Sequence, residues 1–370
     1  MSDITGERSK RVTITDVARQ AGVSVPTVSK VLNNRDDVAA HTRDEVNAVI
    51  ASTGYHARRY RQGAPTGRVP IEVVFRDLTG PYVAEILAGA LVGTTRAGFE
   101  LVVSTAGDHA GSPDRGNRRS GQLLDPWLAG LRARRPRGIV LVADPRFSGH
   151  TATAVATLRV PVVLLDAAGG GHPLLPTVGA TNFAGGKAAT EHLLDLGHRR
   201  IAIITGPPAL TGSQERLEGF HAAMNRYGAP IEGALMQHQD FSAEGGQRAA
   251  AALLGLEDPP TAIFAGSDVM ASGVLQEAHL RGTRIPDDLS VIGFDDVSMC
   301  QYMSPPLTTV HQPLSEMASE AVRILAGAIA EEVASGTSKT RLNANRALTQ
   351  LQLATRLVTR GSTAPPRTGL

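Results

Sequence analysis

Cysteine is nearly absent from this 370-residue chain, and its single copy, Cys300, excludes an internal disulfide. No Cys/His cluster has zinc spacing, so neither a metal nor another cofactor is expected. Aromatics are scarce at 4%, which gives weight to any aromatic that falls in a pocket. There is no run of 18 or more apolar residues, so no membrane span is expected. The opening stretch, Met1-Ser2-Asp3-Ile4-Thr5-Gly6-Glu7, has no apolar signal core, and a reducing cytoplasm fits. Enzyme signatures are missing too. Neither Gly-x-Gly-x-x-Gly, nor a phosphate-loop Lys-Ser/Thr, nor a Gly-x-Ser-x-Gly elbow occurs, and Gly169-Gly170-Gly171-His172 alone is too weak to make an oxyanion site. The chain is read as a non-enzyme.

What is present divides in two. Residues 1–64 carry ten Lys/Arg against seven Asp/Glu, while the remainder carries 27 against 28. That bias permits nucleic-acid contact by the N-terminal part. Residues 13–54 read as three short helices. Thr15 is expected to cap Asp16–Ala21, Ser24 to cap Val25–Leu32, and Thr42 to cap Arg43–Ser52 with Glu45 as its capping-box partner. Val17, Ala18, Val28, Val31 and Val46 are among the residues expected in a small core. A tight turn at Gly22 would set the first two helices steeply.

Farther on, β-rich runs such as Ile71–Phe75, Gly138–Val142 and Val160–Leu165 alternate with helix-like stretches near 82–97, 124–134 and 148–158. A second series, Arg200–Thr205, Leu235–His238, Thr261–Ala265 and Ser290–Phe294, alternates with helices near 184–196, 214–227, 243–254 and 268–281. Such alternation predicts two open, doubly wound parallel sheets, whose ligands bind beyond the carboxyl ends of the strands. The expected fold is α/β, an all-α helix-turn-helix head plus two parallel-sheet lobes.

The run Asp16-Val17-Ala18, then Ala21-Gly22-Val23-Ser24, then Thr27-Val28-Ser29-Lys30-Val31-Leu32-Asn33, resembles the helix-turn-helix of the lactose/galactose repressor family. The resemblance extends through Asp77-Leu78-Thr79-Gly80-Pro81-Tyr82, Leu196-Gly197-His198-Arg199-Arg200-Ile201, Arg216-Leu217-Glu218-Gly219-Phe220, Ala265-Gly266-Ser267-Asp268, Gly293-Phe294-Asp295-Asp296 and Pro306-Leu307-Thr308-Thr309-Val310. It implies lobes of periplasmic-binding-protein type and a ligand-controlled repressor of double-stranded operator DNA. By this resemblance Val25, Pro26 and Lys30 stand at base-reading positions. Lys30 suits guanine acceptors, and the other two suit apolar contact. Thr13, Ser24, Thr27, Ser29, Asn33 and Thr42 are short polar groups suited to phosphates.

The family's hinge helix levers a leucine into the minor groove. Here Ala64 holds that position and Arg61 replaces a small alanine, so strong kinking is not expected. Arg58, Arg59 and Arg61 are expected either to act on the DNA backbone or a narrow minor groove or to form a flexible basic tether.

For the body, the chemistry suits a sugar-like effector. Arg216 offers a donor fork, Asp295 a paired acceptor and Phe241 an apolar ring face. Asp166 also matches a ligand position of the family, Tyr82 and Gln312 either join the set or simply line the lobe interface, and Asp268 completes it, with a helix cap as a nearly equal reading. Asp296 is assigned to a turn, and His198, Arg199 and Arg200 to a solvated basic surface.

The expected organisation is a head over 1–57, a hinge over 58–67, an N-terminal lobe over 68–176 and 311–343, a C-terminal lobe over 177–310 and 344–362, and a disordered tail over 363–370. Lobe crossings are expected near 174–178, 306–312 and 340–350. Two-fold operators imply a homodimer. An activator or corepressor-dependent regulator is the main alternative. A sugar-binding transport protein would leave the head unexplained.

Overall fold

The computed structural model describes residues 13–32, 38–53, 69–75, 77–105, 130–131, 134, 136–142, 160–166, 175–335 and 349–367. Asn33, Arg58, Arg59, Arg61 and Ala64, the expected hinge, the helix over 148–158 and nearly all of that over 124–134 lie outside them. The chain divides into two compact units, Met1–Gly67 and Arg68–Leu370.

The first unit holds α1 (Ile14–Gln20), α2 (Val25–Leu32) and α3 (Ala40–Thr53). Thr13, not Thr15, caps α1. Its hydroxyl accepts from Asp16 N, and the Asp16 carboxylate accepts from Thr13 N at 3.0 Å and Thr13 Oγ1 at 2.6 Å. This reciprocal box satisfies more of the orphan N–H groups than Thr15 could. Gly22 turns the chain with φ +65°, a conformation that costs residues with a Cβ about 1 kcal/mol or more. Ser24 caps α2 as expected, accepting from Thr27 N. Thr42 is not a cap, because α3 begins two residues earlier. Glu45 instead pairs with His41, one turn back, at 3.5 Å. Val17, Ala18, Val28, Val31 and Val46 are buried together.

The second unit contains two parallel sheets. Six strands form the first, in the order β11-β5-β4-β3-β1-β2: β1 (Pro70–Phe75), β2 (Glu100–Thr105), β3 (Gly138–Val142), β4 (Val162–Leu165), β5 (Thr177–Ala180) and β11 (Gln350–Leu353). Central strands β1 and β3 are buried almost throughout, as parallel strands covered on both faces require. Helices α4 (Pro81–Ala97) and α9 (Leu314–Ser335) pack on each other and on this sheet. The second sheet, in the order β7-β6-β8-β9, comprises β6 (Ile201–Thr205), β7 (Met236–His238), β8 (Ala262–Ala265) and β9 (Ser290–Ile292). Around it lie α5 (Asn182–Asp195), α6 (Thr211–Arg226), α7 (Ala243–Leu254) and α8 (Asp268–Arg281). A two-stranded antiparallel pair, β10 (Thr309–His311) and β12 (Arg356–Val358), flanks this lobe.

Three expectations about chain path need correction. Residues 177–180 and 350–353 belong to the first sheet, not the second lobe, because β11 pairs with β5 in parallel register. The crossings therefore fall at Thr181, beside Gln312, and at 354–355. Thr181 and Thr355 are tied together: Thr355 N donates to Thr181 Oγ1 at 2.9 Å, and Thr355 Oγ1 donates to Thr181 O at 3.1 Å. The tail is not loose through Arg367. Ala364 O accepts from Ser290 Oγ and pairs with His198 Nε2, and Arg367 reaches Asp288 at 2.9 Å. His198 is accordingly buried, not a surface cation, and burial lowers its pKa.

Candidate functional site

Where the two sheets of the second unit end, a cavity of about 500 Å³ opens between the lobes. Its volume lies within the range of small-molecule sites. From the first lobe it is lined by Phe75 at the end of β1, the following Asp77–Val83 turn into α4, Val142 at the end of β3 and Asp166 just past β4. The second lobe supplies the loops after β6 and β7, the first turn of α6, Ser267 and Asp295. All are carboxyl-end positions, as the topology demands.

Arg216 is the organising side chain. On the buried face of α6, its Nε donates to Asn182 Oδ1 at 2.8 Å, Nη1 to Gly266 O at 2.6 Å and Nη2 to Gln312 Oε1 at 2.9 Å. The guanidinium lies 3.8 Å from the Phe294 ring centroid, within cation–π range. Asp295 Oδ1 forms an ion pair with Nη2 at 3.7 Å, too long for a hydrogen bond, and has no hydrogen-bond partner. The Ser213 hydroxyl is likewise buried without one. Buried polar atoms of this kind are rare, and at the wall of a cavity they point to a ligand.

Asp166 faces Arg216 from the other lobe. Tyr82 Oη donates to its Oδ2 at 2.7 Å and Gln312 Nε2 to its Oδ1 at 2.8 Å. Gln312, fully enclosed beside a lobe crossing, thus links carboxylate and guanidinium across the lobes. Desolvation by burial raises the Asp295 carboxyl well above its ordinary range and raises Asp166 as well, outweighing the opposing pull of Arg216 on both. Tyr82 is pushed well above its usual value, first by burial and then by the Asp166 charge.

Three lining residues, Asp166, Phe241 and Asp295, have φ of 58°, 64° and 112°. Such backbone costs of order 1–3 kcal/mol each and clusters at functional sites. The Phe241 ring fits because residue 206 is glycine. A Cβ there would meet ring atoms at 2.0–2.5 Å.

Of the seven residues expected to bind effector, Tyr82, Asp166, Arg216, Phe241 and Asp295 line this cavity. Gln312 stands behind it. Asp268 does not belong, because its oxygens are taken by Val297 N at 2.9 Å and Thr309 Oγ1 at 2.5 Å. It is fully buried with its pKa raised to about 6, mainly by desolvation, and serves the packing of the second lobe. Asp296 is paired with Arg360 at 2.6 Å and His311 at 3.1 Å, away from the lining. Sequence reasoning missed Asp77, Thr79, Ser213, Asp240, Ser242 and Glu244. Asp240 and Ser242 had a local signal, an Asp-x-Ser turn leading into the cap of α7.

In the first unit, Thr13, Ser24, Val25, Pro26 and Lys30 are exposed along the α1 end and the α2 face, while Thr27 and Thr42 are half-covered. Val25 is an exposed apolar side chain, while the other described valines of this unit are largely covered. The side chain of Ser29 lies outside the described set. Among the described residues no group of His, Cys, Asp or Glu can hold a metal, and no helix is long and apolar enough to cross a membrane.

Residues 13–57 match the family model of bacterial regulatory proteins of the lacI family, and residues 190–363 match a periplasmic binding protein-like domain. The transcriptional regulator DegA of Bacillus subtilis is 32% identical over 97% of this chain and 100% of its own. The ribose operon repressor of Escherichia coli K12 is 33% identical over 85% of this chain and 92% of its own. Among solved structures, the regulator CelR in complex with cellobiose superposes with TM-score 0.67 at 30% identity, covering 95% of this chain and all of that one. The lac repressor dimer bound to operator and an anti-inducer gives 0.66 at 28%, covering 96% and 100%. From head to tail strap, the chain belongs to the lacI family of bacterial regulatory proteins.

Proposed function

We propose that this chain is a cytoplasmic homodimeric repressor whose grip on operator DNA is set by a small polyhydroxylated effector held between the lobes of its second unit. The observation that carries the effector half is the pair of buried polar atoms without a hydrogen bond, Asp295 Oδ1 and Ser213 Oγ, at the wall of a cavity formed by strand ends. Exposed Val25, Pro26 and Lys30 on α2 carry the DNA half. They read base edges, while Thr13, Ser24 and Thr27 hold phosphates. Binding, not turnover, is the activity assigned to the cavity, in keeping with the transcriptional regulators that the chain resembles over most of its length.

Control requires differential affinity of the effector for two lobe arrangements. Asp166, Gln312 and Arg216 bridge the lobes and would be re-paired by a ligand that donates to either carboxylate. That re-pairing lets the effector bias the lobe arrangement, and the sign we assign is induction, in which the effector releases DNA. The similarity to the ribose operon repressor and to the CelR–cellobiose complex favours a sugar as the ligand. A corepressor would use the same residues with the opposite sign.

The test is an operator gel shift of the full chain with and without sugars that raise its melting temperature. A thermal hit that leaves operator affinity untouched would remove the effector half. Failure to bind any fragment of its own upstream DNA at low ionic strength would remove the rest.

A further inference from the structure

The cavity is lopsided in charge. Among the described residues five carboxyl groups line it, from Asp77, Asp166, Asp240, Glu244 and Asp295, against one guanidinium, that of Arg216. That guanidinium is already engaged, since each of its three nitrogens donates to a protein acceptor: Asn182, Gly266 and Gln312. Recognition of a phosphate or carboxylate by arginine relies on a free fork of parallel N–H groups, and three of the five N–H groups of Arg216 already serve protein acceptors. Burial opposes ionisation of Asp295, and a ligand donor to its unsatisfied Oδ1 offsets that burial, because the ionised carboxylate only accepts. A hydroxyl or an ammonium fits, and an anionic oxygen does not.

Helix N-termini supply the opposing field, because α4, α6, α7 and α8 all begin at the cavity. Those of α7 and α8 are capped by Ser242 and Ser267, with Glu244 and Asp268 in their first turns. The starts of α4 and α6 have no side-chain cap, which suits neutral hydroxyl oxygens. A terminus is worth roughly half a charge, so two uncapped ones do not offset even the three carboxylates of Asp77, Asp240 and Glu244.

We propose that this cavity selects its ligand by charge: it takes a polyol with no anionic group, an added ammonium strengthens binding, and sugar phosphates and sugar acids are refused. This inference deepens the effector reading above and rests on it. Like-charge juxtaposition is the refusing element, and specificity of this kind needs such an element as well as attractive contacts.

The test uses the full chain and matched sets built on glucose, galactose, mannose and ribose. Each set contains the parent sugar, its 2-amino-2-deoxy form, its terminal phosphate and its sugar acid, with affinity read by calorimetry. For the skeleton that binds, the phosphate and acid bind about 100-fold more weakly than the parent, equivalent to about 2.7 kcal/mol, and the amino form binds several-fold more tightly. Glu244→Gln, at an exposed position, narrows the parent-to-phosphate ratio by about threefold, and Asp240→Asn does the same with its turn-forming oxygen kept. A phosphate or acid that matches its parent, an amino form that binds more weakly, or no binding by any member overturns the proposal. Operator binding is measured on the same preparation. A protein that grips operator and releases it with a sugar phosphate loses only the charge rule, whereas one indifferent to operator loses the repressor reading.

Discussion

Replacing Arg216 with alanine tests the central claim about the body, that one side chain organises both lobes. The change leaves three buried acceptors, Asn182 Oδ1, Gly266 O and Gln312 Oε1, without their donor, and removes the cation beside Asp295 and over Phe294. Breaking a buried charged contact of this kind costs about 3–5 kcal/mol, because the partners stay desolvated. At roughly 2–4 °C per kcal/mol for a large domain, the melting temperature falls by about 10 °C. Far-UV circular dichroism on the full chain measures it, with Arg216→Lys as the control that keeps the charge and loses the planar fork. Below the lowered melting temperature the variant still binds operator, since the first unit has its own core, and it no longer responds to effector. A melting temperature within about 2 °C of the parent would refute the keystone role. A normal effector response would refute the pocket.

Asp295→Asn moves the other way. Its folded pKa is raised, so the carboxyl's contribution to stability is complete below the unfolded value near 3.8 and is lost as pH rises through the folded one. Asparagine tolerates the positive φ, so the variant melts higher than the parent at neutral pH, converges with it in acid and loses effector affinity; equal melting at pH 7 contradicts the desolvation argument. For Lys30→Ala, operator affinity drops about 10–100-fold and discrimination among operator variants relaxes, measured by competition gel shift; a uniform loss across all sequences would assign Lys30 to phosphates instead. Truncation after Ser362 removes the Ala364 carbonyl from Ser290 and His198 and frees Asp288 from Arg367, and it destabilises the second unit by about 2 kcal/mol in urea titration; no shift in midpoint would show the tail to be an ornament.

Much of the architecture is legible because it follows from period and punctuation. Strand and helix positions from β6 to α8 agree with the alternating pattern to within a few residues, and Ser24 caps α2 where expected. Errors arose where a local rule had two solutions or a long-range pairing decided. Thr13 and Thr15 are both good cap residues, and only the carboxylate of Asp16, three residues after Thr13, distinguishes them. Nothing local announces that 350–353 pairs beside 177–180, since that register depends on a return path through the whole second lobe. The five cavity-lining candidates were legible through the family resemblance, which fixes positions without geometry. Asp268 was drawn in by chemistry alone, because a carboxylate after a strand serves equally as a ligand contact and as an anchor for Val297 and Thr309. The left-handed backbone at Asp166, Phe241 and Asp295 has no signature in a single sequence.

The contact between Phe241 and Gly206 constrains how this pocket can diversify. Since the tip of the benzyl group fills the volume a methyl would need at position 206, any larger residue there drives the ring out of its present place. The two positions are coupled: a lineage that replaces Gly206 with alanine swings its ring into the cavity or gives it up, and loses the flat apolar wall either way. Ligand preference in descendants of this chain is therefore expected to change in a jump at that step, and not by gradual trimming.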